Sequence, residues 1–498
     1  MSQSEILRNL FPGNFYENSL FEKDGATLGM VRSSSGKNLA VIAKTQHPCL
    51  LQFHGETSPL QNDMAMLLCP LDVANAAVLR SLIPGLKPGL LGLKSSFGMG
   101  DRLGMATPGH VRAMRKAGNG ISPIFVQQSV RENFRTNRNP TIVLADATWG
   151  AFQEGWRDGF GADADHLKTP EDIDSFVSAG YTFFTIDPGE YVDNHAETDA
   201  QNVISQKLEA LPWDVLETTA KDFLKRFSGK YIDLGSNKAE ISEEAAGRAI
   251  VKIGKALAHV VKMFRHLAGK EIPFELEISI DETDTPTSYV EHFIIASEFQ
   301  RLGVKWVSLA PRFSGQFEKG IDYIGNLKSL EKEMEGHATI ARNMGPYKLS
   351  LHSGSDKFSV YAILAEKTQG FFHVKTAGTS YLEALRVLAT TEPQLFREVL
   401  TLARERFPQD RASYHISANL DKVPSSSQLQ DNQLAGLFDQ TDARQVLHVT
   451  FGSILTKLGD SLKTSILAHE EVYYDDLVRH FTNHLKPFSN HVQKNAKK

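Results

Sequence analysis

Short apolar runs, each ending in polar or glycine-containing residues, recur through the middle of the chain. Residues 90–94 lead into SSFGMGDR, 121–126 into QQSVREN, 141–145 into DATWG, and 181–186 into DPGEY. Residues 274–280 lead into DETDTPT, 306–310 into PRFSG, 348–351 into HSGSDK, and 370–374 into KTAGTS. Each is short and apolar enough for a strand buried on both faces. Helical patterns lie between most of them. Residues 108–117 follow Thr107 as an N-cap, with Pro108 at the first helical position. Residues 169–179 open with TPED, acidic in the first turn, and end at Gly180. Residues 288–302 and 381–388 carry apolar side chains at helical spacing.

Strands alternating with helices predict parallel βαβ units, and eight such strands predict a closed (β/α)8 barrel. A doubly wound open sheet is the alternative, but no glycine-rich phosphate fingerprint follows the first strand. Residues 89–390 form the expected α/β barrel, with a helical insertion at 194–270 after strand 4 that includes an amphipathic helix at 244–267. Residues 1–88 read as an N-terminal α/β region, with strands at 38–43 and 50–53 and a helix at 72–82. Residues 391–498 read as a helical C-terminal extension ending in a frayed tail, SNHVQKNAKK.

Composition narrows the classes. The 498 residues are 41% hydrophobic and 23% charged with a formal charge of −5, which is globular and gives no drive toward nucleic acid or anionic membrane. The most apolar stretch, 64–83, is interrupted by Pro70, Asp72 and Arg80 and is too polar to span a bilayer. The N-terminus lacks a signal-peptide pattern. Cys49 and Cys69, with no metal spacing, read as core thiols of a cytoplasmic protein.

In a barrel of this type, chemistry gathers at the C-terminal ends of the strands. ADADHLK places Asp165 directly beside His166, with Lys168 close by, in a glycine-framed loop. A carboxylate next to an imidazole offers a base beside a metal ligand, although the two can equally cap a helix or bind each other. LSLHSGSDK delivers His352 to a strand tip, and FFHVK adds His373 as a weaker candidate ligand. Alternation in FELEISIDE puts Glu275 and Glu277 on one face. An inward carboxylate is costly unless it acts or pairs, so Glu277 reads as an acid/base or a ligand. Arg102, Arg131 and Arg312 come from three strand ends and suit a planar carboxylate. Gln128, Ser129, Lys168, Asp187 and Lys375 complete the expected substrate contacts. No HExxH, GxSxG, P-loop or EF-hand spacing is present.

These segments together resemble the metal-dependent tagaturonate/fructuronate epimerases, a family of hexuronate C4-epimerases. The resemblance is carried by GMGDRLGMATPGHVRA (98–113), FVQQSVREN (125–133), GADADHLKTPEDI (161–173), FTIDPG (184–189), SLAPRF (308–313), FEKGIDY (317–323) and LSLHSGSDK (349–357). It implies a (β/α)8-like fold, a divalent metal cation (zinc, manganese, nickel, cobalt or iron) and a small keto sugar acid as substrate. The ADH and HSGS pieces are also similar to class II aldolase metal sites, where an Asp beside a metal-binding His transfers the proton. The inverted carbon carries its hydroxyl β to the ketone, so enolisation does not acidify its C–H bond. Retro-aldol cleavage and re-closure do invert it. Asp165 and Glu277 are the expected acid/base pair, one for each face. An aldolase-like lyase and a non-catalytic sugar-acid binding protein are the alternatives, and a neutral ketohexose substrate and a homo-oligomer are left open.

Overall fold

A computed structural model describes residues 2–33 and 36–492. Its centre is a closed barrel of eight parallel strands. They are β1 (Ser96–Met99), β2 (Ser122–Ser129), β3 (Gly161–Leu167), β4 (Phe183–Ile186), β5 (Glu275–Ile280), β6 (Ser308–Pro311), β7 (Lys348–Leu351) and β8 (Phe372–Thr376). Each pairs with its successor, and β8 closes on β1 through the register His373 to Ser96 and Lys375 to Gly98. Outward positions such as Leu276, Ile278, Leu349 and Val374 are buried under the helices. That double burial explains the near-continuous apolar runs.

Two strand expectations fail in this region. Residues 141–145 are part of the helix Pro140–Gln153, not a strand; Asn139 caps it by accepting the Ile142 N–H at 2.9 Å. That helix is buried nearly all round, so its apolar run lacked helical periodicity. The strand in that place is β3, GADADHL, whose inward positions are the carboxylates Asp163 and Asp165. The first strand is Ser96–Met99 rather than 90–94. Gly100, just after it, is required, since a Cβ there would strike the Ala377 backbone.

The N-terminal region is a five-stranded antiparallel sheet over residues 21–70 followed by the helix Val73–Leu82. Residues 48–52 form a short helix rather than a strand, with the His47 ring accepting the Cys49 N–H at 3.1 Å. Cys49 and Cys69 are both buried and unpaired, and burial pushes the Cys69 thiol up to about 12, which keeps it inert. The insertion contains the helix Glu243–Ala268, as the pattern predicted. The helix Glu470–Leu485 packs on Thr107–Ala117, where Gly109 leaves room for Leu477. The polar tail continues beyond residue 492, outside the described residues. None of the described helices is long and apolar enough to cross a membrane.

His110, on Thr107–Ala117, is fully buried against Phe481 and bonded to Ser380 Oγ at 2.8 Å. Burial pushes its pKa down to about 4, against the weaker pull of Asp101. The unfolded chain therefore takes up this proton first as pH falls. The stabilisation is complete above pH 6.5 and is lost toward pH 4, amounting to a few kcal/mol at most. The expected outcome is that His110→Gln lowers the melting temperature more at pH 7.5 than at pH 5. Equal losses at both pH values, measured by calorimetry, would contradict it.

Candidate active site

One ammonium organises the upper barrel. Lys375 Nζ lies 2.8 Å from Asp163, 2.7 Å from Asp165 and 2.9 Å from Glu277, and it donates to Thr185 Oγ1 at 2.6 Å. These partners come from β3, β4 and β5, and all are buried. Burial opposes every one of these charges, but their mutual attraction outweighs it for most. The three carboxylates hold Lys375 well above the usual lysine range. Lys375 and the neighbouring imidazoles hold Asp165 and Glu277 low. Asp163 is the exception: burial, with Asp165 and Glu277 close by, pushes it up to about 7 against the pull of Lys375.

Above this layer, His166, Asp281 and His352 each offer a ligand atom, and the three lie within 4.8 Å of one another. Adjacent strand residues normally face opposite ways. Here β3 shifts register between Ala164 and Leu167, and His166 adopts φ +54°. The irregularity turns His166 to the same side as its neighbour Asp165, 3.8 Å away. His352 Nε2 faces Glu277 at 2.7 Å, which leaves Nδ1 toward Asp281 at 3.2 Å. His166 Nδ1 faces Asp187 at 3.3 Å, and Asp187 also accepts the Gly189 N–H at 2.9 Å. Each imidazole is thus oriented by a carboxylate on its far nitrogen, the usual support of a metal-ligating histidine.

The charge balance agrees with a cation here. Burial works against both imidazoliums, yet Asp165 and its neighbours raise His166 to about 10, and Asp281 and Glu277 raise His352 to about 9. A divalent ion replacing those two protons leaves the same charge among the same carboxylates. Two nitrogens and a carboxylate oxygen suit a hard or borderline divalent ion.

A cavity opens above these three residues. Its mouth, about 270 Å³, is bordered by Arg131, Asp281, Arg312, Lys319, His352 and Tyr414. Its floor is bordered by Gln127, Asp165, His166, Lys319, Lys375 and His448. His352, Ser353 and Lys319 belong to both parts.

The structure brings together Asp165, His166, Asp187, Glu277, His352 and Lys375, with Arg131 and Arg312 at the mouth. The other expected site residues lie elsewhere, each for a visible reason. His373 sits in the layer below, with Nδ1 2.9 Å from Ser96 Oγ, outside the three-ligand group. Arg102 is buried against Glu132 at 2.9 Å, the His448 carbonyl at 3.2 Å and the Phe451 ring. Gln128 has the opposite parity from Gln127 and accepts from Arg138 at 2.9 Å. Ser129 caps the helix Val130–Arg135, and Lys168 pairs with Glu190 on the surface. Glu277 is fully enclosed beneath His352 rather than facing the cavity. Its strand-end position puts Asp281 among the polar candidates in the sequence without giving it a role, and no sequence pattern singles out Lys319. Asp281 shares the parity of Glu275 and Glu277 at the tip of β5, and that alternation could have assigned it a role.

A second group, Asp356, His480 and His484, also converges. Both nitrogens of His484 are already used: Nε2 accepts the Asp356 N–H at 3.0 Å, and Nδ1 lies 3.0 Å from the His480 carbonyl. His480 bridges Asp356 at 3.2 Å and Glu383 at 3.4 Å, and Arg444 reaches Asp356 at 3.0 Å. This network of paired charges braces the loop after β7 against the C-terminal helices.

Comparison with known proteins supports one family. Residues 16–488 match the model of UxaE, tagaturonate epimerase. A tagaturonate/fructuronate epimerase from Thermotoga maritima is 44% identical over 473 residues, covering 94% of this chain and 96% of that protein. The native crystal structure of a fructuronate-tagaturonate epimerase from Cohnella laeviribosi superposes with a TM-score of 0.90 at 35% identity, covering 98% of this chain and 99% of that one. A glycerol complex of the same enzyme superposes equally well, covering 97% and 99%.

Replacing His166, Asp281 or His352 by Ala is expected to remove most of the bound divalent metal. His373→Ala is expected to leave it in place. Elemental analysis of the four purified variants tests this, and wild-type metal content in all three ligand variants would contradict the assignment.

Proposed function

The chain belongs to the tagaturonate epimerase family, and from that premise we propose that it interconverts D-tagaturonate and D-fructuronate by breaking and remaking one carbon–carbon bond. His166, Asp281 and His352 are the residues that would hold a divalent ion. Such an ion, when bound, supplies Lewis acidity at the ketone oxygen of the substrate.

The observation that carries the proposal is a charged carboxylate placed beside that group. Asp165 borders the cavity floor and is held ionised by Lys375 at 2.7 Å. Asp165 lies beside His166 on the cavity floor, where an ionised carboxylate can exchange a proton with the hydroxyl on the carbon that inverts, as the C–O group becomes a carbonyl. Loss of that proton releases the adjacent carbon–carbon bond. Return of a proton after re-closure on the other face completes the epimerisation.

Glu277 serves the reaction as a positioning residue. It holds His352 Nε2 at 2.7 Å and shares Lys375 with Asp165, so it fixes an imidazole and a charge at once. Its burial beneath His352 argues against the two-carboxylate pairing expected from the sequence.

Asp165→Asn keeps the shape and removes the proton acceptor. Its kcat is expected to fall by about a hundredfold or more with metal content unchanged. Glu277→Gln is expected to lower metal content and kcat together, because His352 loses its orienting acceptor. Tagaturonate–fructuronate exchange followed by NMR, with metal analysis of the same samples, distinguishes them. Near wild-type turnover in Asp165→Asn would overturn the assignment.

A further inference from the structure

We propose that Lys319 grips the carboxylate of the sugar acid and keeps the acid-bearing half of the substrate in place between bond cleavage and bond formation. The inference rests on the carbon–carbon cleavage argued above.

Lys319 stands where the floor and the mouth of the cavity meet, beside His352 and Ser353. Its Nζ donates to Ser353 Oγ at 2.7 Å, and among the described residues it has no ion pair. The other enclosed lysines near the barrel mouth are answered. Lys375 has three carboxylates, Lys252 has Glu197 at 2.6 Å and Glu291 at 3.0 Å, and Lys357 is capped by three backbone carbonyls. The charge that faces Lys319 most strongly is another cation, Arg131, on the rim of the same cavity. The carboxylates of Glu282, Asp281 and Glu132 pull the other way, but among the described residues none is within ion-pair distance of Lys319, and Asp281 is turned to His352 and Glu132 to Arg102. Burial, with Arg131 adding to it, holds the Lys319 ammonium below the usual lysine range, as expected of a cation that lacks its anion.

The backbone on either side of Lys319 is fixed. Glu318 accepts from the Ser417 N–H and hydroxyl, both at 2.8 Å, and from Gln445 at 2.7 Å. Lys357 donates to the carbonyls of Glu318 and Ile321 at 2.8 and 2.5 Å. An ammonium on so rigid a loop is placed before the ligand arrives, which lowers the ordering cost of binding.

The chemistry requires such an anchor. When the bond between C3 and C4 breaks, its electron pair stays with the ketone-bearing three carbons and the C4 hydroxyl proton leaves. C4 becomes an aldehyde on a three-carbon 2-hydroxy acid. That fragment must make a half turn of its aldehyde without escaping, and then C3 adds to the opposite face while the new C4 oxygen takes a proton. A carboxylate held at its far end allows the turn and prevents the escape.

The test compares Lys319→Met and Lys319→Gln with wild type, using D-glycerate as a carboxylate probe and glycerol as its neutral counterpart. The expected result is a rise of about tenfold to a hundredfold in the inhibition constant of glycerate and in the KM for tagaturonate. Glycerol inhibition, melting temperature and metal content should be unchanged, and Lys319→Arg should restore part of the glycerate affinity. Glycerate inhibition within twofold of wild type in both variants, or equal losses for glycerate and glycerol, would overturn the assignment. A wild-type enzyme that does not exchange tagaturonate and fructuronate would instead refute the proposed reaction, so the two failures are distinguishable.

Discussion

Everything at the mouth of this barrel depends on the ammonium of Lys375. Three carboxylates from two strands converge on a buried space, and each would cost several kcal/mol if left there alone. One cation answers all three. The arrangement makes β3, β5 and β8 mutually dependent: removing the lysine strands the acids, and removing any acid changes the basicity of the others. Thr185 on β4 closes the set by accepting from the same ammonium and donating to Asp163 at 3.0 Å.

The geometry of the site follows from that core. Asp165 stays charged because Lys375 holds it, and Glu277 stays charged and bonds His352. Two local backbone features shape the rim beside this core. His166 and Ser353 both adopt left-handed backbone, at a cost of roughly 1–2 kcal/mol each, which the surrounding hydrogen bonds offset. The network of Asp356, His480, His484 and Arg444 then ties the loop behind His352 to the C-terminal helices. Those helices, remote from the strand ends in sequence, are part of what holds the chemistry in register.

Much of this was legible in the amino-acid order. The barrel, the helix starts at Thr169 and Ser288, and the pairing of Asp165 with His166 follow from periodicity, capping and local chemistry. β3 did not, because a strand with inward aspartates looks like a loop until its counter-ion, 210 residues away, is known. The helix Pro140–Gln153 did not, because burial on all sides erases amphipathic periodicity. Gln127 and Asp281 were within reach of simple alternation. The commitment of Arg102 to Glu132, the enclosure of Glu277 and the exposure of Lys319 to the cavity are tertiary facts that no local pattern encodes.

In the proposed reaction the base acts on an oxygen-bound proton, so the hydrogen on the inverted carbon never leaves it. The most direct measurement is epimerisation of tagaturonate in deuterium oxide, with the fructuronate product read by proton NMR. Carbon–carbon cleavage and re-closure predicts a product that carries protium at C4 through many turnovers. Deuterium at C4 appearing in step with product would contradict the account and assign the reaction to deprotonation at carbon.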